Sequence, residues 1–133
     1  MIAVDTSALF AILNAEEDAA AFAARLIEDE ERHISSASFV ELGSICLHRL
    51  PSGVDALERL MSELSIRVTA LDAKQARIAV SAYARFGKGR GTRAKLNLGD
   101  CFSYALAKSL DVPLLFKGDD FGHTDIRPAI EPR

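Results

Sequence analysis

A chain of 133 residues that is 49% hydrophobic and 26% charged, with 8 glycines and 4 prolines, is neither disordered nor collagen-like nor low in complexity. Its length suits one domain, so residues 1–133 are read as a single unit. The formal net charge of −3 gives no hint of nucleic acid, but Arg85, Lys88, Arg90, Arg93 and Lys95 crowd into residues 85–95 without an acid, which leaves the remainder markedly acidic.

Met1-Ile2-Ala3-Val4 is a short apolar run that stops at Asp5-Thr6-Ser7, polar residues suited to capping a helix that begins at Ala8. An acidic, alanine-rich helix follows between Glu16 and Glu31, with Phe22, Leu26 and Ile27 on one face. His33-Ile34-Ser35 reads as a second strand. Ser38 and Glu41 have the spacing of a capping box, which places Glu41 in the first turn of a helix running to Leu50. That helix is apolar on most sides and is expected to be buried. Val54, Leu57, Leu60, Met61 and Leu64 predict an amphipathic helix between Ser52 and Ser65.

Residues 66–71 read as a strand, and Asp72 caps a helix ending at Gly87 whose inner face is expected to carry Ala73, Ala76, Ala79, Val80 and Tyr83. Three glycines at 87, 89 and 91 make the next stretch a loop. Gly99-Asp100 opens a helix through Ala105 and Leu110, residues 113–116 form a last apolar strand, and Lys117-Gly118-Asp119-Asp120 is a polar turn. Strands alternating with helices imply parallel pairing in an α/β sandwich.

Ligands of a parallel sheet collect at the carboxyl ends of its strands. Asp5 and the pair Asp119-Asp120 follow strands directly, Asp100 opens a helix, and Glu41 lies early in the helix after the second strand, so acids distant in sequence are expected to meet at one edge. Carboxylates sharing a cleft repel one another unless a cation neutralises them. An all-oxygen donor set favours Mg²⁺ or Mn²⁺. Each acid also has a plainer reading: Asp5 as a helix cap, Glu41 as half of a capping box, Asp100 as a complement to a helix dipole, Asp119-Asp120 as turn chemistry.

Lys88, Arg90, Arg93 and Lys95 would draw phosphates, although solvated loops often have this composition. The loop matches neither G-x-x-x-x-G-K-[ST] nor G-x-G-x-x-G. Cys46 and Cys101 sit among apolar neighbours and are expected to be buried thiols, with no disulfide. Scattered His33, His48 and His123 argue against a zinc site. No apolar run approaches the ~18 residues of a membrane span and no secretory leader is evident, so a cytoplasmic protein with no membrane partner is expected.

Residues 2–8 (IAVDTSA), 35–41 (SSASFVE), 96–107 (LNLGDCFSYALA) and 113–121 (PLLFKGDDF), with His123-Thr124-Asp125-Ile126, together resemble the PIN-domain ribonucleases, specifically the VapC toxins of bacterial VapBC toxin–antitoxin systems. The likeness spans nearly the whole chain. It implies a PIN-like α/β/α sandwich with a short central parallel sheet. It also implies metal-dependent endonucleolytic cleavage of RNA, with Asp5, Glu41 and Asp100 as acids of a Mg²⁺ (or Mn²⁺) site, Asp120 as the fourth and Asp119 as its close neighbour. Lys88, Arg90, Arg93 and Lys95 would hold the RNA backbone. The implied partners are a VapB-type antitoxin, operator DNA reached only through it, and a second copy of the chain in a homodimer or toxin–antitoxin assembly. Two alternatives stand beside this reading. A phosphatase of the haloacid-dehalogenase type would need Asp at position 7, where this chain has Ser7, and a catalytically silent PIN-like module would bind RNA or protein without cutting.

Overall fold

Period-two alternation in the central strands divides the apolar side chains between two faces and so calls for cover on both. In the computed structural model, which describes residues 1–131, that cover is six helices around a four-stranded sheet. The strands are β1 (Ile2–Val4), β2 (Arg32–Ser35), β3 (Ile66–Thr69) and β4 (Leu114–Leu115), ordered β3-β2-β1-β4 and parallel throughout. In register, Ala3 stands beside His33 on one side and Leu114 on the other.

The helices are α1 (Thr6–Leu13), α2 (Ala19–Ile27), α3 (Ser36–Arg49), α4 (Asp55–Glu63), α5 (Ala73–Phe86) and α6 (Leu98–Leu110). Ile2, Val4, Ile34 and Leu115 point to one face and pack with Leu9, Leu26, Leu42, Cys46 and Leu57. Ala3 and Leu114 point to the other, against Ala79, Ala82, Tyr104, Leu106 and Phe121. These opposed cores make an α/β/α sandwich. Because the chain leaves β1 toward β2 on one flank and returns as β4 on the other, the strand order reverses between β1 and β4, where a crevice opens at the carboxyl edge.

Several sequence expectations change in detail. α3 begins at Ser36 with Ser35 as its cap, the Ser35 hydroxyl accepting from the Ala37 amide at 3.3 Å. Ser38 therefore lies inside the helix and caps nothing, and Glu41 falls in the second turn rather than the first. Nor is α3 buried on most sides, since it interns only Ser38, Leu42 and Cys46 and leaves Val40 and Leu47 exposed. In α5 the inner face is Gln75, Ala79 and Ala82, while Val80 and Tyr83 face outward. Ala79 and Ala82 turn inward toward α6 and Phe86 packs on Tyr104 at 5.9 Å between ring centroids, while Val80 and Tyr83 are left outside that contact. α4 spans 55–63 within the expected 52–65, and β3 stops at Thr69, short of Leu71. Both cysteines are buried free thiols.

Candidate active site

β1 delivers Asp5 to the crevice, where it caps α1. Its Oδ2 accepts from the Ser7 amide at 3.1 Å and from the Ser7 hydroxyl at 2.6 Å. Capping alone would leave the carboxylate at the surface, yet Asp5 is 5% exposed and its Oδ1 accepts a second, interior hydrogen bond from the Ser103 hydroxyl at 2.5 Å. Capping and enclosure therefore coexist in one residue. The Ser7 hydroxyl in turn accepts from the Lys117 amide at 2.9 Å, which ties the end of β4 to the start of α1.

Asp100 reaches the same place from α6. Asn97 caps that helix in a reciprocal box: the Asp100 amide donates to Asn97 at 2.8 Å and the Asn97 amide to Asp100 Oδ2 at 3.0 Å. Burial raises the Asp100 carboxyl from its ordinary 3.8 to about 8, with the negative charges of Asp5 and Asp120 adding to the rise and the Asn97 backbone hydrogen bond opposing it. Without a cation, this environment favours the protonated form of Asp100. The same burial, aided by Asp100, pushes the Cys101 thiol up to about 11, so this cysteine is no nucleophile near neutral pH.

Glu41 projects from the second turn of α3 onto the first turn of α6, where its carboxylate lies against the backbone of Gly99. A Cβ at position 99 would overlap Glu41 Oε2 and approach Cδ to 3.0 Å. Glycine here lets one acid-bearing helix lie directly on the other.

After β4 the chain reverses at Gly118, whose φ of 98° suits glycine, and presents Asp119 and Asp120. Both line an open cleft of about 500 Å³ with His123, Arg93 and Lys95. Of the two acids, Asp120 bears on Asp100. Asp125 fixes the far end of this turn, accepting from the Tyr104 hydroxyl at 2.7 Å and pairing with Lys108 at 2.9 Å. Tyr104 is raised to about 12, by burial first and then by this bond to Asp125.

The basic segment is a loop with a pinned neck: the Lys88 amide donates to Leu96 and the Leu96 amide to Phe86, each at 3.0 Å. Its four cations do not all line one cleft. Arg93 and Lys95 line the acidic cleft. Arg90 turns back toward the Ala84 carbonyl and borders a separate apolar groove with Val80, Tyr83, Leu98 and Phe102, while Lys88 lies exposed outside both clefts.

Asp5, Glu41, Asp100 and Asp120 thus come from four different elements to one edge. Among the described residues no group of three or more acids, histidines or cysteines stands close enough together to hold a metal ion. The Asp5 oxygens are held by serine donors and Asp100 Oδ2 by Asn97. An all-oxygen donor set, one member of which burial first and neighbouring negative charge second push toward its protonated form, fits a hard divalent cation. Sequence reasoning missed Ser38 and Ser103, whose buried hydroxyls meet at 3.3 Å. Their signal was a polar residue one helical turn from each helix-borne acid, inside otherwise apolar surroundings.

The chain matches the PIN domain family over residues 2–127. It is 47% identical over 131 residues to Ribonuclease VapC28 of Mycobacterium tuberculosis, covering 98% of both chains. Its fold is similar to that of the M. tuberculosis VapC20 crystal structure, described as a Sarcin-Ricin loop cleaving toxin, with TM-score 0.71, 20% identity, and 96% of this chain and 100% of the other covered. It also resembles VapBC2 of Rickettsia felis bound to a DNA fragment from its promoter, with TM-score 0.70, 16% identity and 96% of each chain covered.

Proposed function

The chain belongs to the PIN domain family and, within it, to the VapC ribonucleases, and from that membership we propose that it is the toxin of a toxin–antitoxin pair, a Mg²⁺- or Mn²⁺-dependent endoribonuclease. The observation that carries this reading is the convergence of Asp5, Glu41, Asp100 and Asp120 beside the cationic wall of Arg93 and Lys95.

Asp5 and Asp100 are the residues that would hold the cation, with Glu41 and Asp120 completing the set directly or through water. When bound, the cation lowers the pKa of a water and offsets charge on the scissile phosphate. The chain's own groups do the rest. Arg93 and Lys95 hold the RNA backbone across the cleft from the acids, so a phosphate is drawn to the edge where the carboxylates would otherwise repel it. Glu41 and Asp120 orient the attacking water. Lys88 and Arg90, also expected at the RNA, stand away from this cleft and contribute only longer-range attraction.

The antitoxin is proposed to be of the VapB type and to silence the site by inserting an Arg or Lys among the acids, where its charge substitutes for the cation's. Operator DNA would be met only through that partner, and the toxin would act as a homodimer or within the hetero-oligomer. The proposed setting is the cytoplasm. Among the described residues no helix is long and apolar enough to cross a membrane.

The test is incubation of the purified chain, freed of antitoxin, with structured RNA and Mg²⁺ or Mn²⁺. Cleavage that EDTA and Asp5→Ala both abolish supports the proposal. Binding without cleavage supports a catalytically silent module, and equal cutting by Asp5→Ala identifies a contaminant.

A further inference from the structure

We propose that Ser103, backed by Ser38, is a positioning residue that fixes how Asp5 meets a divalent cation; the inference rests on the cation-dependent reading above.

The two helix-borne acids are each accompanied, one turn away on the same helix, by a serine: Ser38 three residues before Glu41 on α3, and Ser103 three residues after Asp100 on α6. Three-residue spacing puts each pair on one helical face. Both serines are 0% exposed, and their hydroxyls meet at 3.3 Å. A hydroxyl has one proton to give. The Ser103 proton goes to Asp5 Oδ1 at 2.5 Å, which leaves Ser38 as the donor between the serines. The hydrogen bonds therefore run in one direction, from Ser38 through Ser103 to Asp5, and join α3, α6 and the end of β1. The start of α1 is tied to the same point, the Thr6 hydroxyl donating to the Ser38 carbonyl at 3.3 Å.

The consequence lies in the carboxylate's orientation. With Ser103 on Oδ1 and the Ser7 amide and hydroxyl on Oδ2, the Asp5 plane is held from both ends and the lone pair left on Oδ1 has a set direction. The same bridge fixes the spacing of the helices that carry Glu41 and Asp100. Donors behind a metal ligand of this kind change cation affinity or activity about 10–100-fold when removed.

The experiment is calorimetric titration of Mn²⁺ into the full-length chain, wild type against Ser103→Ala, Ser103→Thr and Ser38→Ala, joined to steady-state RNA cleavage at saturating cation and a melting curve for each variant. Leu106→Ala, at a fully buried position of the same helix, controls for loss of packing. Ser103→Ala is expected to weaken Mn²⁺ binding about 10–100-fold and to lower kcat while leaving the KM for RNA near wild type, because Arg93 and Lys95 are untouched. Ser38→Ala should show a smaller effect, and Ser103→Thr, which retains the hydroxyl, should recover most of the affinity. Wild-type Mn²⁺ affinity in Ser103→Ala overturns the proposal, as does equal weakening in Leu106→Ala. A wild type that cuts RNA while Ser103→Ala is unaffected removes this inference alone, whereas a wild type that binds no Mn²⁺ removes it together with the reading it rests on.

Discussion

Replacing Gly99 by alanine separates the stability of the fold from the placement of one acid. Alanine in a helix is ordinarily about 0.8–1 kcal/mol more favourable than glycine, and Gly99 has no left-handed φ that would penalise a side chain. The obstacle is the Glu41 carboxylate, which a Cβ at 99 would overlap. That carboxylate ends a flexible, half-buried side chain, so it can swing aside for a rotamer cost of roughly 0.5–1.5 kcal/mol. The two terms nearly cancel. Gly99→Ala is expected to keep its stability within about 1 kcal/mol, a melting shift of a few degrees at most for a domain of this size. Cleavage of a fluorogenic RNA should fall at least about tenfold, because Glu41 is expelled from the site. Thermal melts followed by circular dichroism and initial rates at saturating Mg²⁺ report the two quantities. Wild-type cleavage by a folded Gly99→Ala would show that Glu41 is not needed where it lies. A loss of more than about 3 kcal/mol would show that the contact is rigid packing, which these numbers do not allow.

Three further outcomes follow from other parts of the site. Asp100, raised from 3.8 to about 8 by burial and neighbouring charge, keeps in the folded state a proton that the unfolded chain releases. The cation-free protein should therefore lose stability as pH rises from about 4 to about 8, Asp100→Asn should flatten that slope in urea titrations, and a steeper slope in the variant would contradict the assignment. Neutralising Arg93 and Lys95 should weaken RNA binding and reduce the slope of log affinity against log salt by about 0.7 per lost single-strand contact. Arg90→Ala, whose side chain turns toward Ala84, should leave that slope nearly unchanged in fluorescence anisotropy. Tyr104→Phe removes the hydrogen bond that straps Asp125 to α6 and should cost about 1–2 kcal/mol in chemical denaturation; no loss would mean that Lys108 alone holds the turn.

The sequence exposed Asp5 and Asp100 because local rules and long-range chemistry coincide there: each caps or opens a helix at the same edge where a parallel sheet gathers ligands. Glu41 lies on α3 as its spacing predicts, but not as half of a capping box. A Ser-x-x-Glu spacing imitates a capping box, but Ser35 already caps α3, so Ser38 and Glu41 are free to face α6. Ser103 gives only a weak signal, a polar residue one turn from Asp100 in an apolar helix, because its partner lies 98 residues away in the chain. Val80 and Tyr83 misled for the opposite reason. Periodicity marks an apolar face, but the inward side of α5 carries Gln75, Ala79 and Ala82, and Val80 and Tyr83 line a surface groove instead. The strand order β3-β2-β1-β4, which creates the crevice, is set by pairings that no local pattern encodes.

Asp5, Glu41, Asp100 and Asp120 are proposed to form a seat for one or more divalent cations. Crystals soaked in Mn²⁺ and measured for anomalous scattering test it most directly. A peak within coordination distance of Asp5 and Asp100, lost in Asp5→Asn crystals, is the expected result; Mn²⁺ bound only elsewhere on the chain, with these carboxylates unmoved, would contradict it.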